Sequence, residues 1–150
     1  AREEVGLDPG SVDVLGTLPA LFLPPSGFVV HPVVAHWRAP HPVRVVDPAE
    51  VAAVVRAPLA ALVDPAHRLQ VRHPSGWIGP AFEVQGADGE LLVWGFTAGL
   101  LDRLLELAGW ARPWDSLRQR TLDPELVTLA ARGATFPAGL AVAVDPPPVT

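Results

Sequence analysis

The chain has 150 residues, of which 49% are hydrophobic and 18% are charged, and its formal net charge is −5. This composition favours one packed domain over disorder, and a globular chain of this length buries roughly 70% of its unfolded surface. There is no cysteine, no basic cluster and no apolar run of the ~18 residues that a membrane span needs, which argues against disulfides, thiolate zinc sites, nucleic-acid partners and membrane spans. A cytoplasmic location fits these features.

The first predicted element is the end of a helix. Residues Ala1 to Val5 fit a last helical turn, and Gly6 is the residue expected to stop it. Extended structure is predicted within residues 12–23. The mostly apolar run FVVHPVVAHW at residues 28–37 predicts one strand that is buried on both faces, in which Pro32 indicates a bulge or a sheet edge.

The middle of the chain is predicted to alternate strands with short turns. A strand is expected at residues 51–56, although DPAE at residues 47–50 would also suit the start of a helix. The other elements expected here are a helical turn at 58–63, strands at 69–72 and 81–84 around the turn HPSGWIGP, and a hairpin turn at 87–89 into the strand LLVWGF.

The clearest predicted helix is AGLLDRLLELA, with Thr97 as its N-cap and Gly109 as its stop. Residues 110–120 are expected to be irregular. A second helix, ELVTLAAR, is predicted after Asp123-Pro124, and the final DPPPVT is expected to be a frayed tail.

The opening residues resemble the end of a family signature. AREEVGL fills the last seven places of the Nudix box, the signature of the Nudix hydrolases: an aliphatic residue, any residue, two glutamates, any residue, a glycine and an aliphatic residue. In this resemblance an Arg-Glu pair, a further glutamate and a glycine loop would all lie before Ala1. The chain thus resembles a Nudix protein that begins inside the signature helix.

Later regions resemble the coenzyme A pyrophosphatase branch of the family, in the same order along the chain. LPAL at 18–21, PSGFVV at 25–30 and PVV at 32–34 are similar to the strand pair that follows the box. DPAEV at 47–51 and PLAAL at 58–62 are similar to a strand that leads into a Pro-Leu turn, and WGFTAGLL at 94–101 is similar to the last strand and C-terminal helix. The resemblance covers about residues 1–118, and the motif that distinguishes the branch precedes the box.

The resemblance implies an α/β (α+β) fold, namely a Nudix-like α/β/α sandwich with a mixed β-sheet that is incomplete at the N-terminus. Residues 1–118 would form the C-terminal part of a Nudix domain, and residues 119–150 an extension with one helix and a flexible Pro-rich tail. The implied activity is hydrolysis of a diphosphate bond in a nucleoside diphosphate derivative, with coenzyme A or an acyl-CoA as the leading substrate. The alternatives are a Nudix hydrolase of ADP-ribose, NADH or a nucleoside triphosphate, and a non-catalytic Nudix-like binding domain. The fragment alone is expected to be inactive.

The resemblance also implies Mg²⁺ or Mn²⁺, with Glu3 and Glu4 as metal ligands and Glu4 and Glu50 as catalytic residues. Divalent cations must bridge the anionic diphosphate and the carboxylates, and Mg²⁺ prefers hard oxygen ligands. A glutamate just before Ala1 would lie three and four residues from Glu3 and Glu4, and those spacings share one helix face. Apart from the resemblance, two adjacent glutamates are typical of the solvated end of a helix. In the same way, Glu50 would be interpreted as part of a helix or turn cap after Asp47.

The remaining candidates have simpler expected roles. Glu83 and Glu90 lie on predicted hairpin strands and are expected to be solvated; either could serve as a base, and no signal selects one. Trp94 is expected in the core, whereas Trp77 could line a base pocket. Four arginines could contact phosphates but are expected to be solvated: Arg44, Arg56, Arg68 and Arg72. Four aromatic residues are candidates for the wall of a substrate groove: Phe22, Phe28, Trp77 and Phe82.

Other classes of site find no support in the sequence. The five histidines show no metal-ligand spacing. No nucleophile elbow and no phosphate-binding glycine loop is present.

Overall fold

The computed structural model describes residues 1–23, 27–49, 51, 53–86, 89–124 and 127, together with the backbone of residues 141–145. Contacts between Cα atoms divide the chain into two compact units, Ala1–Asp47 and Pro48–Thr150. Glu50, one of the predicted catalytic residues, lies outside the described residues.

The first unit consists of one helical turn and two separate pairs of short strands. Helix α1 covers Arg2–Val5, and a 3-10 turn at Pro9–Ser11 leads into the first strand. The first and fourth strands pair antiparallel, as do the second and third. The strands are β1 (Val12–Thr17), β2 (Leu21–Leu23), β3 (Phe28–Val30) and β4 (Val33–Trp37).

The prediction for residues 28–37 is wrong in two respects. The run forms two strands rather than one, because His31 and Pro32 separate β3 from β4 and proline has no N–H to continue a ladder. It is also not buried on both faces, since Phe28 is 69% exposed and Val33 is 57% exposed. A two-stranded pair covers little of either face, so apolar content alone did not decide burial.

The second unit begins with strand β5 (Val54–Pro58), which runs directly into helix α2 (Leu59–Val63). The helical turn expected at 58–63 is confirmed, and the strand expected at 51–56 is observed a few residues later. Pro58 ends the strand and precedes the helix, a position that needs no N–H donor.

A mixed four-stranded sheet forms the centre of this unit. Its strand order is β8-β7-β6-β9, with antiparallel pairs except for β6 and β9, which run parallel. Its strands are β6 (Arg68–Arg72), β7 (Ile78–Gly86), β8 (Gly89–Val93) and β9 (Gln119–Thr121). The predicted mixed α/β class with a mixed sheet is confirmed and is consistent with a Nudix-like fold.

Helix α3 (Gly95–Leu107) packs against β7. The helix is confirmed, but Thr97 is not its N-cap. Gly95 adopts a φ of 68°, which turns the chain out of β8 and starts the helix two residues before Thr97. Gly109, with a φ of 70°, follows the helix as predicted.

The two faces of the sheet carry different clusters of buried side chains. Phe82 lies opposite Val93 in the register, and both belong to the main core, which α2, α3 and β5 also line. Ala81 lies opposite Leu69, and both belong to a smaller cluster on the other face with Val71 and Leu122. Because successive side chains of a strand point to opposite faces of the sheet, neighbouring residues of these strands contribute to different cores.

The C-terminal part of the chain differs from its prediction in two strands. Residues 119–121, expected to be irregular or extension, form β9 beside β6. Strand β10 (Ala141–Asp145), which was not predicted, pairs parallel with β5. Most of the predicted helix ELVTLAAR and the last five residues lie outside the described residues. The predicted domain boundary at residue 118 stays a prediction.

Candidate functional site

The predicted ligand pair lies on α1, a single helical turn. The Val5 N–H donates to the Ala1 carbonyl at 2.9 Å, and the Gly6 N–H donates to the Arg2 carbonyl at 3.0 Å. Gly6 has a φ of 70°, the left-handed conformation that ends a helix and that side chains with a Cβ disfavour. The helical turn and its glycine stop were both predicted, and both are confirmed.

The two carboxylates of α1 are open to solvent. Glu3 is exposed, and the side chain of Glu4 is 44% exposed, with Oε2 lying 3.5 Å from the amino group of Ala1. Val5, the next residue, is only 6% exposed and is the buried residue of this turn. Adjacent helical residues point about 100° apart, so the two carboxylates diverge by about a quarter turn.

A second segment holds the end of α1. Residues 38–47, which follow β4 and are here called the return segment, place three backbone N–H groups on two carbonyls of this helix. Val46 and Asp47 donate to the Glu4 carbonyl at 2.8 and 3.2 Å, and Arg44 donates to the Val5 carbonyl at 3.1 Å. The last carbonyls of a helix have no partner within it, so these bonds satisfy groups that α1 would otherwise leave to water.

Side chains fix the turn between α1 and β1. Asp8 caps it through Oδ1, which accepts from the Gly10 N–H at 3.0 Å. The buried Ser11 hydroxyl donates to the Asp8 carbonyl at 2.6 Å and accepts from the Trp37 indole N–H at 2.9 Å. Arg38 donates to the Gly10 carbonyl at 3.1 Å. The position of Glu3 and Glu4 thus depends on residues more than 30 positions later in the chain.

Glu3 and Glu4 suit Mg²⁺ or Mn²⁺ in donor type, because both are accessible carboxylates. Two carboxylates fill only part of an octahedral coordination sphere. Among the described residues, no group of three or more His, Asp or Glu side chains is arranged to hold a metal ion. The third glutamate that the resemblance implies would lie before Ala1, so the ligand roles of Glu3 and Glu4 stay predictions, as do the catalytic roles of Glu4 and Glu50.

The expectation that Glu83 is solvated is wrong. It is 5% exposed, and its two carboxylate oxygens accept from Arg118 at 2.6 Å and from Arg120 at 2.5 Å. A carboxylate with both oxygens in such pairs is poorly placed to act as a base. Glu90 is exposed as predicted, with Oε1 lying 3.6 Å from Arg120.

The expectation for Arg68 is also wrong, because this arginine is 1% exposed. It donates to Asp102 of α3, and its guanidinium lies over the rings of Phe82 and Trp114, at 4.4 and 4.8 Å from their centroids. This arrangement ties α3 to the sheet and leaves Arg68 unable to reach a substrate phosphate. The three other candidate arginines are exposed as expected: Arg44, Arg56 and Arg72.

The candidate aromatic residues divide between core and surface. Phe82 is fully buried, so it belongs to the core rather than to a groove wall. Phe22 and Phe28 are 63% and 69% exposed, and Trp77 is 43% exposed. Trp94 is partly buried and packs against the smaller cluster, as predicted. A role for Phe22, Phe28 or Trp77 in substrate binding stays a prediction.

Sequence reasoning missed the pairing of Glu83 with two arginines. A signal existed, because Arg118 and Arg120 are two residues apart, and a strand places such residues on one face. Both arginines lie beside β6 and reach across it to Glu83 on β7. It also missed the return segment, for which no local sequence signal exists.

Comparison with known proteins adds one finding. No family model matches the chain, and no solved structure matches it significantly. The chain is similar to Nudix hydrolase 15, mitochondrial, of Arabidopsis thaliana, with 36% identity over 110 residues. This similarity supports the resemblance of the chain to the Nudix hydrolases. The match covers 69% of this chain but only 37% of the Nudix relative, so the chain spans little more than a third of that protein.

The name of the Nudix relative places that protein in mitochondria. The cytoplasmic location expected for this chain stays a prediction. None of the helices in the described part of the chain is long and apolar enough to cross a membrane.

Proposed function

We propose that this chain contributes the C-terminal part of a Nudix hydrolase that cleaves a diphosphate bond in a nucleoside diphosphate derivative. The observation that carries the proposal is the agreement between the Nudix-like opening AREEVGL and the similarity to a Nudix hydrolase. The helical turn at Arg2–Val5 and its left-handed Gly6 fit the end of a signature helix.

In this proposal Glu3 and Glu4 hold a divalent cation together with carboxylates that precede Ala1. When bound, Mg²⁺ or Mn²⁺ supplies a Lewis acid for the phosphoryl oxygens and increases the acidity of bound water. In this proposal the Glu4 carboxylate, which is accessible, would orient such a water by accepting a hydrogen bond from it. The return segment fixes the backbone of Glu4, because its N–H groups bond the carbonyl of that residue.

Coenzyme A, or an acyl-CoA, is the proposed substrate. Hydrolysis adds water across one P–O bond of its diphosphate and yields 4′-phosphopantetheine and adenosine 3′,5′-bisphosphate. The support is the order of the regions at 18–34, 47–62 and 94–101, which resemble the coenzyme A branch. Phe22 and Phe28, both exposed in the first unit, are candidates to contact the pantetheine arm.

The proposal is tested with the protein encoded by the reading frame extended upstream of Ala1. Coenzyme A, ADP-ribose, NADH and the common nucleoside triphosphates are assayed side by side with Mg²⁺. We expect coenzyme A to be preferred by at least ~10-fold in kcat/KM, about 1.4 kcal/mol of differential transition-state binding. If one of the other compounds is the better substrate, the assignment to the coenzyme A branch is wrong and only the assignment to the Nudix hydrolases remains. Binding of nucleotides without any turnover would favour a non-catalytic Nudix-like domain.

The residue roles are tested in the same extended protein. Glu4→Gln keeps the size of the side chain and removes its charge, and we expect it to lower kcat about 10²-fold or more. Glu106→Gln is the matched control, because Glu106 is a similarly exposed glutamate on α3 whose partner is Arg103. Normal activity and normal Mg²⁺ dependence of the Glu4 variant would contradict the ligand assignment.

A further inference from the structure

The imidazole of His41, in the return segment, lies between a backbone donor and a backbone acceptor. The Asp8 N–H lies 3.1 Å from Nε2, and the Pro42 carbonyl oxygen lies 3.0 Å from Nδ1. An amide N–H can only donate and a carbonyl can only accept, so Nε2 accepts and Nδ1 carries the proton. Together the two contacts require the neutral Nδ1–H tautomer of His41.

We propose that His41 is a pH-sensitive latch on the turn Asp8–Ser11, closed when its imidazole is neutral and open when it is protonated. Protonation places a second N–H on Nε2, directly opposite the N–H of Asp8. The hydrogen bond is then replaced by two donors that face each other, and the Asp8 amide must move away or turn to water. Histidine is the side chain that ordinarily changes charge between about pH 5 and 8.

The charged groups on the neighbouring elements do not take over the role of His41. Asp8 directs its carboxylate to the Gly10 N–H at 3.0 Å. Arg38 pairs with Asp13 on β1 at 3.1 Å and with the Gly10 carbonyl. The other charged residues of the return segment are Arg44 and Asp47, whose backbone N–H groups bind the Val5 and Glu4 carbonyls. None of these contacts supplies an acceptor for the Asp8 amide.

Trp37 holds the other side of the turn independently of the charge on His41. Its indole N–H donates to Ser11, while its ring meets the His41 ring edge to face, with 5.3 Å between centroids. Opening of the latch is therefore local: it frees the Asp8 amide and leaves the Trp37–Ser11 bond intact. Because the turn directly follows α1, opening loosens the connection between the glutamate pair and β1. Only this last consequence rests on the proposed function.

The test is an NMR titration of the ¹⁵N-labelled 150-residue chain from about pH 8 to about pH 5, the range in which histidines titrate. The ring resonances of His41, the amide resonance of Asp8 and the indole N–H of Trp37 are followed together. We expect the Asp8 amide to shift with the same midpoint as the His41 ring and its exchange protection factor to fall about tenfold, the scale of losing one hydrogen bond. The Trp37 indole N–H is expected to keep its protection.

Two variants and one matched control make the result decisive. His41→Gln retains an acceptor oxygen but does not titrate, so the Asp8 amide should stay protected across the range. His41→Ala should leave that amide unprotected at every pH, which also shows whether the turn folds without the latch. His36→Gln, at an exposed histidine on β4, should leave the wild-type transition unchanged. The proposal is overturned if the His41 ring titrates while the Asp8 amide does not respond, or if the Asp8 transition persists in His41→Gln.

Discussion

Substitution of Asp102 by asparagine tests how the buried arginine of the second unit is compensated. The side chain of Arg68 is 1% exposed, and that of its partner Asp102 is 28% exposed. Among the described residues, the Nε atom of Arg68 has no hydrogen-bond partner. The carboxylate of Asp102 is thus the counter-charge for a guanidinium that also lies against the rings of Phe82 and Trp114.

Replacement of Asp102 and replacement of Arg68 should lower the free energy of unfolding by different amounts. Removing one partner of a buried ion pair costs about 3–5 kcal/mol, because the other charge is left uncompensated. Asparagine still offers an oxygen to Arg68, so we expect Asp102→Asn to lie at the low end, about 3 kcal/mol. Arg68→Met should cost only about 1 kcal/mol, since Asp102 can turn to water and methionine can fill the space between the rings at the loss of a cation–π contact.

The double variant follows from the same reasoning. With Arg68 replaced by methionine, no buried charge remains to be compensated when Asp102 is changed. The double variant should therefore be about 2 kcal/mol more stable than Asp102→Asn alone. Urea unfolding followed by tryptophan fluorescence measures each free energy of unfolding, and urea leaves electrostatic interactions unscreened.

A control at the surface and a clear contrary result complete the design. Glu106→Gln removes one partner of an exposed pair, in which Arg103 is 67% exposed, and should change stability by less than about 0.5 kcal/mol. If Arg68→Met costs as much as Asp102→Asn, or if the two costs simply add in the double variant, the burial of Arg68 does not depend on Asp102.

Three further predictions concern other parts of the chain. The 150-residue chain alone should show no Mg²⁺-dependent hydrolysis of coenzyme A above background in a phosphate-release or chromatographic assay, because Glu3 and Glu4 lack further carboxylates beside them among the described residues; robust turnover would contradict this. Glu83→Gln should lower the free energy of unfolding by about 2 kcal/mol, because two charge-assisted bonds are weakened while Arg118 and Arg120 can reach water; an unchanged urea midpoint would show that the bonds contribute nothing net. Gly6→Ala should destabilise the chain by about 1 kcal/mol, because Gly6 has a φ of 70°. Gly99→Ala should stabilise it by up to about 1 kcal/mol, because Gly99 lies in helix α3 and nothing lies within 4 Å of the added Cβ. Equal effects of the two substitutions in thermal unfolding would refute the backbone argument.

The elements that sequence predicted best are those set by neighbouring residues. The stop at Gly6, the helical turn after Pro58, the strand pair around HPSGWIGP and the leucine-rich helix all depend on signals a few positions apart. The same local reasoning failed at Thr97, because the left-handed Gly95 starts the helix earlier than the favoured cap residue.

The predictions that failed concern charged or apolar residues whose environment comes from distant parts of the chain. Arg68 and Glu83 were expected in water because charged side chains usually are, yet their partners Asp102 and Arg118 lie 34 and 35 positions away. Apolar Phe28 was expected inside and is exposed. Of the candidate site, the local conformation of Glu3 and Glu4 was predictable, but the segment that holds them was not.

The hydrogen bonds from the return segment to α1 also bear on the order in which the first unit folds. Within the 150-residue chain, helix α1 has four residues, and a helix so short is unstable by itself in water because nucleation is unfavourable. The bond that holds it joins Glu4 to Val46, 42 positions later, and closing a loop of that length costs about 3 kcal/mol of chain entropy. Pairing of β1 with β4 shortens that loop before it must close, so the glutamates at the beginning of the chain should be among the last residues of the unit to reach their native conformation.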